Sequence, residues 1–397
     1  MLSVPLMARK IKIAYLIDTI SSDKAGTEKQ LLNLIERLDR GLFRVTLVCL
    51  HESTWLTRND LPCELIILGY KGFLKPNFPS VLWRYLCLLK ERRFDIVQTF
   101  FEDSMFVGCL GKFFSSVQHA LIVSRRDLGL GSDEPNYHWL YKKIKPFILR
   151  FVDGIAANAH AIRDSIACNE KVAPEKIIVI GNGLDIPVPP NEPPQLFSEY
   201  QGDLWFVIVA NLKPVKRIDL LLRALAYMKE TGIKETVRAV IIGDGWLKPE
   251  LLQLAEEAGI DDRVHFIGSV ENVSDYLFGA DIGVLCSDKE GLSNAILEYM
   301  ACGLPVVATN AGGNSELVDD TNGVCVPVGD HIALAGALVT LMGSPARRRK
   351  LGNCSLDTVR QHFTWDTVIP LWERYYFSLE AGLASHGNPP EGAHAET

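Results

Sequence analysis

The sequence predicts two doubly wound α/β domains, each a parallel β-sheet covered by helices on both faces. Three observations support this fold class. The chain has 397 residues, about twice the length of an ordinary domain. Short apolar, β-branched runs alternate with amphipathic stretches from Ile11 onward, a pattern typical of parallel sheets buried on both faces. The five-proline segment DIPVPPNEPPQ, residues 185–195, interrupts the alternation and predicts a linker.

The first domain is expected over residues 10–184. Helical patterns separate most of its apolar runs, as in EKQLLNLIERLDR, where apolar residues recur at helical spacing. This helix opens with Thr27 and, three residues later, Gln30, which predicts a capping box. The predicted strands span residues 11–17, 43–50, 64–68, 95–99, 120–124, 154–158 and 176–180.

The second domain is expected over residues 203–364, after a linker at 185–202. Its apolar runs are as short and β-branched as those of the first domain, which again indicates buried parallel strands. Residues 381–397 are mostly small and polar and predict a disordered tail. The predicted strands span residues 204–210, 237–243, 264–268, 281–286, 305–309 and 323–327.

The composition indicates a soluble globular protein, with 48% apolar and 22% charged residues. The net charge of −7 argues against a general nucleic-acid binder, but residues 71–150 hold 13 Lys and Arg against 7 Asp and Glu. This local excess of positive charge could attract an anionic partner or a membrane surface. The nine cysteines are scattered without a C-x-x-C pair, which indicates reduced core residues rather than disulfides or zinc ligands. With neither a long apolar run nor a signal peptide in the sequence, a cytoplasmic location is expected.

Two glutamates, Glu290 and Glu298, lie eight residues apart around the start of a predicted helix that follows a strand. In open α/β sheets, ligands bind beyond the carboxyl ends of the strands. Gly291 would let the backbone approach a ligand, and Ser293 or Asn294 could cap the helix. The helix N-terminus favours phosphate, whereas the carboxylates suit the hydroxyls of a sugar and a ribose. For two glutamates at an arbitrary spacing, the ordinary interpretation is a solvated loop residue and a helix-surface residue.

A basic segment follows the first strand of the second domain and contains Lys213, Lys216 and Arg217. A basic triplet is usually a solvated surface, but here it is placed where a diphosphate would need charge neutralisation. The turn IIGDGW, with Gly243 and Gly245, is a second glycine-bearing turn at the same edge. Together these features predict a nucleotide-sugar pocket.

The stretch Glu290–Glu298 resembles the E-x7-E motif of the family-four retaining glycosyltransferases, and GLPVVATNAGGNSELV after it is equally similar to that family. The segments VANLKPVKRID, IIGDGWLKPELLQLA, VHFIG, IVSRRDLG and VIGNGLDI also resemble it, in the family's order, over residues 10–375. The resemblance implies a GT-B fold, in which two Rossmann-like doubly wound domains face each other across a cleft. It also implies that the last helix, expected at 365–380, crosses back to the first domain.

The resemblance implies roles for individual residues, with Glu290 and Lys216 as candidate catalytic groups. Glu290 would contact hydroxyls of the donor sugar, Lys216 a phosphate, and Glu298 the ribose diol. The family often has an arginine where this chain has Asn211, so either Lys213 supplies the missing charge or phosphate binding is weaker than usual. The other implied donor-binding positions are Gly243, Gly245, Ile267, Gly291, Leu292, Ser293 and Asn294.

In the first domain, the resemblance places Gly26 and Thr27 in a glycine-rich loop near the diphosphate or the acceptor, although a tight turn and helix cap explains them as well. Many relatives have a histidine where this chain has Arg126 and Asp127. These two are further catalytic candidates, Arg126 towards the leaving diphosphate and Asp127 towards the acceptor, with a structural ion pair as the competing interpretation. The neighbours Glu102–Asp103 are another candidate pair, close enough for one of them to have a raised pKa.

The implied reaction transfers a hexose-like group from a nucleotide diphosphate sugar to an acceptor hydroxyl with retention, and the leaving diphosphate helps to deprotonate the acceptor. A UDP-sugar is the foremost donor, with GDP- and ADP-sugars as alternatives, and neither a cofactor nor a metal is required. A sugar-nucleotide epimerase of similar fold and a non-catalytic GT-B-like binding protein remain alternatives. A nicotinamide dehydrogenase is disfavoured because no G-x-G-x-x-G follows the first strand.

The acceptor is expected to be a saccharide or a lipid-linked sugar of polysaccharide or glycolipid biosynthesis. Two apolar and basic helical segments, residues 80–93 and 137–151, would suit peripheral contact with an anionic membrane at its inner face. The ordinary interpretation of such segments is a domain core with solvated lysines.

Overall fold

The computed structural model describes residues 9–126, 147–233 and 237–387, and every structural statement below concerns these residues. The chain divides into two compact units. The first comprises the described residues up to Asn158, Arg163–Ile180 and the residues from Val368 onward. The second comprises Ala159–Ile162 and Gly181–Thr367, so it includes the expected linker 185–202, in which Gln195–Glu199 forms a short helix.

The first unit contains a seven-stranded, all-parallel sheet in the order β3-β2-β1-β4-β5-β6-β7. Ile11 lies beside Phe43 and Ile13 beside Ile96, so β1 is central and the chain reverses its direction of winding between β1 and β4. The strands are β1 Ile11–Ile17, β2 Phe43–Cys49, β3 Glu64–Ile67, β4 Ile96–Phe100, β5 Ala120–Arg125, β6 Gly154–Ala157 and β7 Ile177–Val179.

The second unit repeats this topology with six parallel strands in the order β10-β9-β8-β11-β12-β13. Phe206 of the central strand lies beside Ile282 on one side and Ala239 on the other. The winding therefore reverses between β8 and β11. The strands are β8 Leu204–Val209, β9 Val237–Ile242, β10 Val264–Gly268, β11 Ile282–Leu285, β12 Val306–Thr309 and β13 Gly323–Val326.

The predicted α/β fold with two Rossmann-like sheets is confirmed, and each of the thirteen predicted strands is present. The reason is visible in β1, where Ile13, Leu16 and Ile17 are fully buried although successive side chains point to opposite faces. Helices cover both faces, so the strands are continuous apolar runs rather than alternating ones.

The α-helices of the described residues follow the same alternation. A helix that illustrates their packing is α7, which buries Leu221 and Leu225 against the second sheet, each contributing about 1.5–3 kcal/mol of stability. In chain order the helices are α1 Gly26–Arg37, α2 Thr54–Arg58, α3 Phe78–Arg92, α4 Glu102–Phe114, α5 His160–Asn169, α6 Gln195–Glu199, α7 Ile218–Glu230, α8 Lys248–Glu257, α9 Val273–Gly279, α10 Asn294–Ala301, α11 Asn314–Leu317, α12 His331–Met342, α13 Pro345–His362 and α14 Trp365–Gly387.

The capping box predicted at the start of α1 is wrong. The helix begins at Gly26 after Ala25, and no side chain caps it. Glu28 takes part in the turn instead, because its carboxylate accepts hydrogen bonds from the backbone N–H groups of Ser21 and Ser22, both at 2.8 Å. The loop before the helix is therefore closed by Glu28 and not by a threonine cap.

The last helix, α14, belongs to the first unit from Val368 onward. Its anchor is Tyr376, which is fully buried and donates a hydrogen bond to Oε1 of Gln98 at 2.7 Å. The hydroxyl of Tyr15 lies 2.9 Å from that of Tyr376 and therefore acts as the donor between the two. The helix continues to Gly387, so residues 381–387, expected to be disordered, are helical. Residues 388–397 lie outside the described residues.

The cysteines are only partly the core residues that the sequence predicts. All nine are free, and Cys49, Cys109 and Cys286 are buried, but Cys87 and Cys168 are exposed. Their helices are amphipathic, and both thiols lie on the outer side. Within the described ranges, every helix is too short or too polar to cross a bilayer.

Candidate functional site

The second unit has a ligand-binding position typical of its topology, at the point where the winding reverses between β8 and β11. Loops that leave the carboxyl ends of two such strands diverge and leave a crevice. The loop after β8 contains a single 3-10 turn, Pro214–Lys216, and the loop after β11 leads into α10. These two loops carry the basic segment and the first glutamate singled out in the sequence.

Glu290 and Lys216 form an ion pair that joins these loops. Nζ of Lys216 lies 2.5 Å from Oε1 of Glu290, and the two side chains are only 26% and 11% exposed. Ser287, which is fully buried, donates its hydroxyl hydrogen to the same oxygen at 2.5 Å. One carboxylate oxygen therefore accepts from two donors, a partly exposed ammonium group and a buried hydroxyl.

Arg217 differs from the free phosphate-binding cation that the basic triplet suggested. It adopts a left-handed backbone conformation with φ of 46° and bonds to Asp219 at 3.0 Å and to Asp288 at 3.1 Å. The hydrogen bond with Asp219, together with the charge of Asp288, raises the pKa of Arg217 above its usual value. Its charge is thus offset by two carboxylates, and it holds the two loops together. The backbone N–H of Asp288 adds a further link by donating to the carbonyl of Val215 at 2.9 Å.

Two glycines of the NAGG segment allow a third loop, after β12, to pack against the backbone at Glu290. Gly312 has φ of +54°, and a Cβ there would overlap the carbonyl oxygen of Glu290. The backbone N–H of Gly313 donates to the carbonyl of Gly291 at 3.1 Å. Close backbone approach explains why glycine is needed at both positions.

The start of α10 is capped by Ser293, whose hydroxyl accepts from the backbone N–H of Ile296 at 3.4 Å. Asn294, the other capping candidate, instead accepts a hydrogen bond from Nδ2 of Asn182 at 2.7 Å. Asn182 is buried and also donates to the carbonyl of Leu292 at 3.2 Å. The loop from Gly291 to Asn294 is therefore fixed on one side, with the positive end of the α10 dipole directed towards the crevice edge.

Glu298 lies in the second turn of α10 and is partly buried. The next residue, Tyr299, attaches the helix to the sheet, since its hydroxyl accepts from the backbone N–H of Val209 at 2.7 Å and donates to the carbonyl of Val284 at 3.2 Å. These carbonyl and N–H groups belong to β11 and β8. Glu290 therefore precedes α10 in the loop after β11, and Glu298 lies on a helix that is attached to the central strands.

The glycine turn after β9 also lies at this edge. Gly243 has φ of +128°, and its backbone N–H donates to the carbonyl of Gly268 at 2.8 Å. A Cβ at Gly243 or Gly245 would overlap carbonyl oxygens of the loop after β8. Ile267, at the end of β10, is partly exposed. The loops after β8, β9 and β10 are therefore in direct backbone contact, while Asn211 and Lys213 are exposed beside them.

The predicted site residues of the first unit make fewer contacts that bear on a function. Gly26 is exposed and Thr27 is partly exposed in the first turn of α1. Burial lowers the pKa of Arg126 to about 10, an effect that Tyr376 partly counters, so this guanidinium stays charged at neutral pH. Asp127 lies outside the described residues.

Asp18 is a further candidate site residue, which the sequence motifs do not indicate. It follows β1, and its Oδ1 accepts from the backbone N–H of Ser104 at 2.9 Å, at the start of α4. Burial, and next the charge of Asp103, raise the pKa of Asp18 to about 7. Burial also raises the pKa of Asp103, to which the charge of Glu102 adds, so a raised pKa in the Glu102–Asp103 pair is confirmed. The carboxyl-edge rule that located Glu290 would have found Asp18, since β1 and β4 flank the corresponding reversal of winding.

A search of the described residues finds no group of three or more His, Cys, Asp or Glu side chains arranged to hold a metal ion.

Comparison with known protein families gives two matches that follow one another along the chain. Residues 25–187 match the model described as Glycosyltransferase Family 4, and residues 203–344 match Glycosyl transferases group 1. The boundary between the two matches falls in the proline-rich segment.

Two curated relatives illustrate the similarity. The chain is 29% identical to the N-acetyl-alpha-D-glucosaminyl L-malate synthase of Bacillus anthracis over 190 residues, which cover 47% of this chain and 49% of the relative. It is 24% identical over 351 residues to a Campylobacter jejuni alpha-1,4-N-acetyl-D-galactosaminyltransferase that is named for a diphospho-undecaprenol-linked saccharide. That match covers 86% of this chain and 92% of the relative. The first match thus spans about half of its relative's length.

Among solved structures, Anabaena HepE in complex with UDP has a TM-score of 0.74 at 21% identity, covering 95% of this chain and 99% of HepE. HepE has also been solved with UDP-glucose. At this identity the likeness establishes the fold, and the two sheets described above are those of GT-B glycosyltransferases. The chain therefore has the GT-B fold, and its N-terminal and C-terminal parts are similar to Glycosyltransferase Family 4 and to Glycosyl transferases group 1, respectively.

Proposed function

We propose that this protein transfers a sugar from a nucleoside diphosphate sugar, foremost a UDP-sugar, to an acceptor hydroxyl in polysaccharide or glycolipid biosynthesis. The observation that carries the proposal is the meeting of Glu290 and Lys216 at the reversal of winding, beside the N-terminus of α10. The UDP and UDP-glucose complexes of HepE support the choice of donor. The Campylobacter relative, named for an undecaprenol-linked saccharide, supports a lipid-linked or saccharide acceptor.

The donor's diphosphate would lie at the start of α10, where free N–H groups and the helix dipole favour an anion. Lys216 would turn from Glu290 to the phosphates, with Lys213 as the second cation in place of the arginine that Asn211 replaces. The carboxylate of Glu290 would then accept hydrogen bonds from sugar hydroxyls, and Glu298 from the ribose diol. The base would meet mainly backbone at Gly243, Gly245 and Ile267, because the two glycines have no side chain to contribute.

The chemistry would rest on positioning and on stabilising the leaving diphosphate. Lys216 and the α10 N-terminus would hold negative charge as the bond from sugar to phosphate breaks, and Arg126 stays the candidate that the family resemblance implies for the leaving diphosphate. In the retaining, front-face course that the family resemblance implies, a leaving phosphate oxygen takes the proton of the attacking hydroxyl.

The acceptor is assigned to the first unit, at the reversal of winding between β1 and β4. Asp18 and Asp103 lie there, and burial raises the pKa of both carboxyl groups, which favours the protonated form that can donate as well as accept. Such a pair suits the hydroxyl groups of a saccharide. Gly26 and Thr27 follow β1 on the same side of the sheet, and Asp127 remains a candidate acceptor contact.

A calorimetric titration with UDP, GDP, ADP and TDP tests the donor site. UDP is expected to bind most tightly, and Glu298→Gln to weaken UDP binding about tenfold, since a hydrogen bond to a charged group is worth about 1.5–3 kcal/mol. Glu256→Gln, an exposed helix glutamate of the same unit, is the matched control. Binding of no nucleoside diphosphate by the wild type would contradict the proposed function.

The stereochemical course is tested on the product. A UDP-sugar is incubated with candidate saccharide and lipid-linked acceptors, and the anomeric configuration of the new linkage is measured by NMR coupling constants. The α-configuration of an α-linked donor should persist. An inverted linkage would contradict retention, and an epimerised nucleotide sugar formed without acceptor would indicate the epimerase alternative.

Peripheral membrane contact is proposed on the basis of an exposed aromatic patch in the first unit, formed by Phe113, Phe114, Phe147 and Phe151. The first three are 53%, 58% and 54% exposed, and ring centroids of Phe113 and Phe151 lie 5.1 Å apart. Arg150 is exposed beside them. Aromatic side chains with neighbouring cations are favourable at the surface of an anionic bilayer. Most of the predicted segment 137–151 lies outside the described residues.

Vesicle flotation tests this contact at the inner, anionic face of a membrane. Binding to phosphatidylglycerol vesicles should exceed binding to phosphatidylcholine vesicles and should fall with salt. Replacing Phe113 and Phe114 by serine should reduce it, whereas Trp246→Ser, at an equally exposed aromatic of the second unit, should not. Equal binding by both variants and the wild type would contradict a role for the patch.

A further inference from the structure

Glu290 holds two hydrogen-bond donors of different kinds on one oxygen. Lys216 sits on a flexible stem and is partly exposed, whereas Ser287 is fully buried. Both lie 2.5 Å from Oε1. When one of the two donors leaves, the other alone fixes the orientation of the carboxylate.

Lys216 is the donor that would leave. In the proposed function its ammonium group turns to the diphosphate, and an ammonium on a four-carbon stem can exchange partners at little cost. Glu290 would then lose its cation at the moment when its carboxylate has to meet the sugar. If the hydrogen bond from Ser287 remains, the carboxylate keeps its orientation. If that bond is also absent, the carboxylate can rotate about its side-chain bonds.

Ser287 is itself held by the end of β12. Thr309 donates its hydroxyl to the carbonyl of Ser287 at 2.6 Å, and Asn314 donates to the carbonyl of Thr309 at 3.0 Å. Thr309 and Asn314 are both fully buried. The backbone of Ser287 is therefore held by β12 and the residues after it, and not by Lys216.

We propose that Ser287 is a positioning residue that keeps Oε1 of Glu290 in place when Lys216 turns to the diphosphate, so that Oε2 meets the hydroxyls of the donor sugar. The inference rests on the proposed function and deepens it. It predicts that Ser287 matters for the sugar part of the donor and not for the nucleoside diphosphate part.

Ser287→Ala is tested by calorimetry with UDP and with UDP-glucose, UDP-galactose, UDP-N-acetylglucosamine and UDP-N-acetylgalactosamine. The UDP-sugar that binds the wild type most tightly should bind the variant about 5- to 15-fold more weakly, the loss expected for one hydrogen bond to a charged group. The Kd of UDP should stay within about twofold. Ser355→Ala is the matched control, since Ser355 is also fully buried and donates to a backbone carbonyl in the same unit.

A double-mutant cycle separates positioning from a general packing effect. With Glu290→Gln in the background, Ser287→Ala should change UDP-sugar affinity by less than about twofold, because the carboxylate that it positions is gone. Thr309→Val should reproduce part of the effect of Ser287→Ala, since it releases the serine backbone.

Three outcomes overturn the inference in different ways. Equal losses of UDP and UDP-sugar binding in Ser287→Ala, matched by a lower Tm, would show a structural role only. Unchanged UDP-sugar binding would show that Lys216 or the helix suffices to hold Glu290. If the wild type binds neither UDP nor a UDP-sugar, the proposed function fails first and the inference fails with it.

Discussion

Nζ of Lys216 lies 2.5 Å from Oε1 of Glu290, so the side chain expected to bind phosphate and the side chain expected to bind the sugar form an ion pair with each other. Each side chain is therefore the polar partner of the other until the donor substrate binds. A nucleoside diphosphate offers a new partner to Lys216 alone, whereas a nucleoside diphosphate sugar offers one to both. The pair favours the complete donor, and its two members can be tested separately.

Glu290→Gln should change the affinities for UDP and for UDP-sugar in different directions or by different factors. UDP binding should be unchanged or tighter, by about two- to fivefold, because Lys216 is released from a partly exposed ion pair. UDP-sugar binding should weaken about tenfold, because a charged acceptor of sugar hydroxyls is lost. Calorimetry on both ligands measures the difference, with Glu271→Gln, an exposed loop glutamate of the same unit, as the control. Weakening of UDP and UDP-sugar by the same factor would argue against a sugar contact at Glu290.

Lys216→Gln should weaken UDP and UDP-sugar by similar factors of about ten, because both carry the diphosphate that the ammonium would neutralise. The matched control is Lys350→Gln, at an exposed lysine on α13. Added salt should reduce the difference in UDP affinity between the wild type and the variant, since screening weakens a contact with a partly exposed charge. A variant that binds UDP as well as the wild type would indicate that Lys213 and the helix N-terminus hold the phosphates.

The sequence was sufficient to predict that the segments of Lys216 and Glu290 lie at the same edge of one sheet, although 74 residues separate them, but their ion pair was not predicted. Each follows a strand that is recognisable as a buried apolar run, and parallel strands place their carboxyl ends at one edge. The same rule applies to Asp18, which follows the central strand β1 of the first sheet. The fold could therefore be predicted from the order of the apolar runs, whereas the donor site stays a prediction.

The partners of individual side chains could not be predicted in this way. Arg217 looks like a third phosphate-binding cation in the sequence, but a φ of 46° turns it towards Asp219 and Asp288. The proposed role of Ser287 depends on a backbone position that is held by the hydrogen bond from Thr309 to the Ser287 carbonyl, and no spacing in the sequence encodes it. At the start of α1, Thr27 fits a cap, but the carboxylate of Glu28 closes the loop instead. These outcomes are decided by local backbone angles and by tertiary contacts.

Gly312→Ala tests whether the loop after β12 supports Glu290. The new Cβ would overlap the carbonyl of Glu290, and the residue would keep φ of +54°. Gly329→Ala is the matched control, because Gly329 has φ of +79° but no atom within 4 Å of an added Cβ. The control should cost about 1 kcal/mol of backbone strain, and Gly312→Ala about 2 kcal/mol more through the displaced loop. Chemical denaturation gives the stabilities, and equal losses in the two variants would mean that the loop moves without strain.

Asp18→Asn should stabilise the protein in a pH-dependent way. The folded-state pKa of about 7 lies above the ordinary 3.8, so between these values the native state binds more protons than the unfolded state. Stability contributed by this group is therefore full at acid pH and is lost as the pH rises through 7. Asparagine keeps an oxygen for the N–H of Ser104 and has no charge to bury. The variant should be about 1–3 kcal/mol more stable than the wild type at about pH 8, and the gain should vanish near pH 4.

Urea denaturation at several pH values measures this profile. Asp60→Asn, at an exposed position of the same unit, controls for the loss of one carboxylate. Asp103→Asn should reproduce part of the gain at high pH, because the charge of Asp103 is the next largest cause of the raised pKa of Asp18 after burial. A gain in Asp18→Asn that is constant from acid to alkaline pH would show that hydrogen bonding, and not the charge of the carboxylate, decides the stability at this edge of the first sheet.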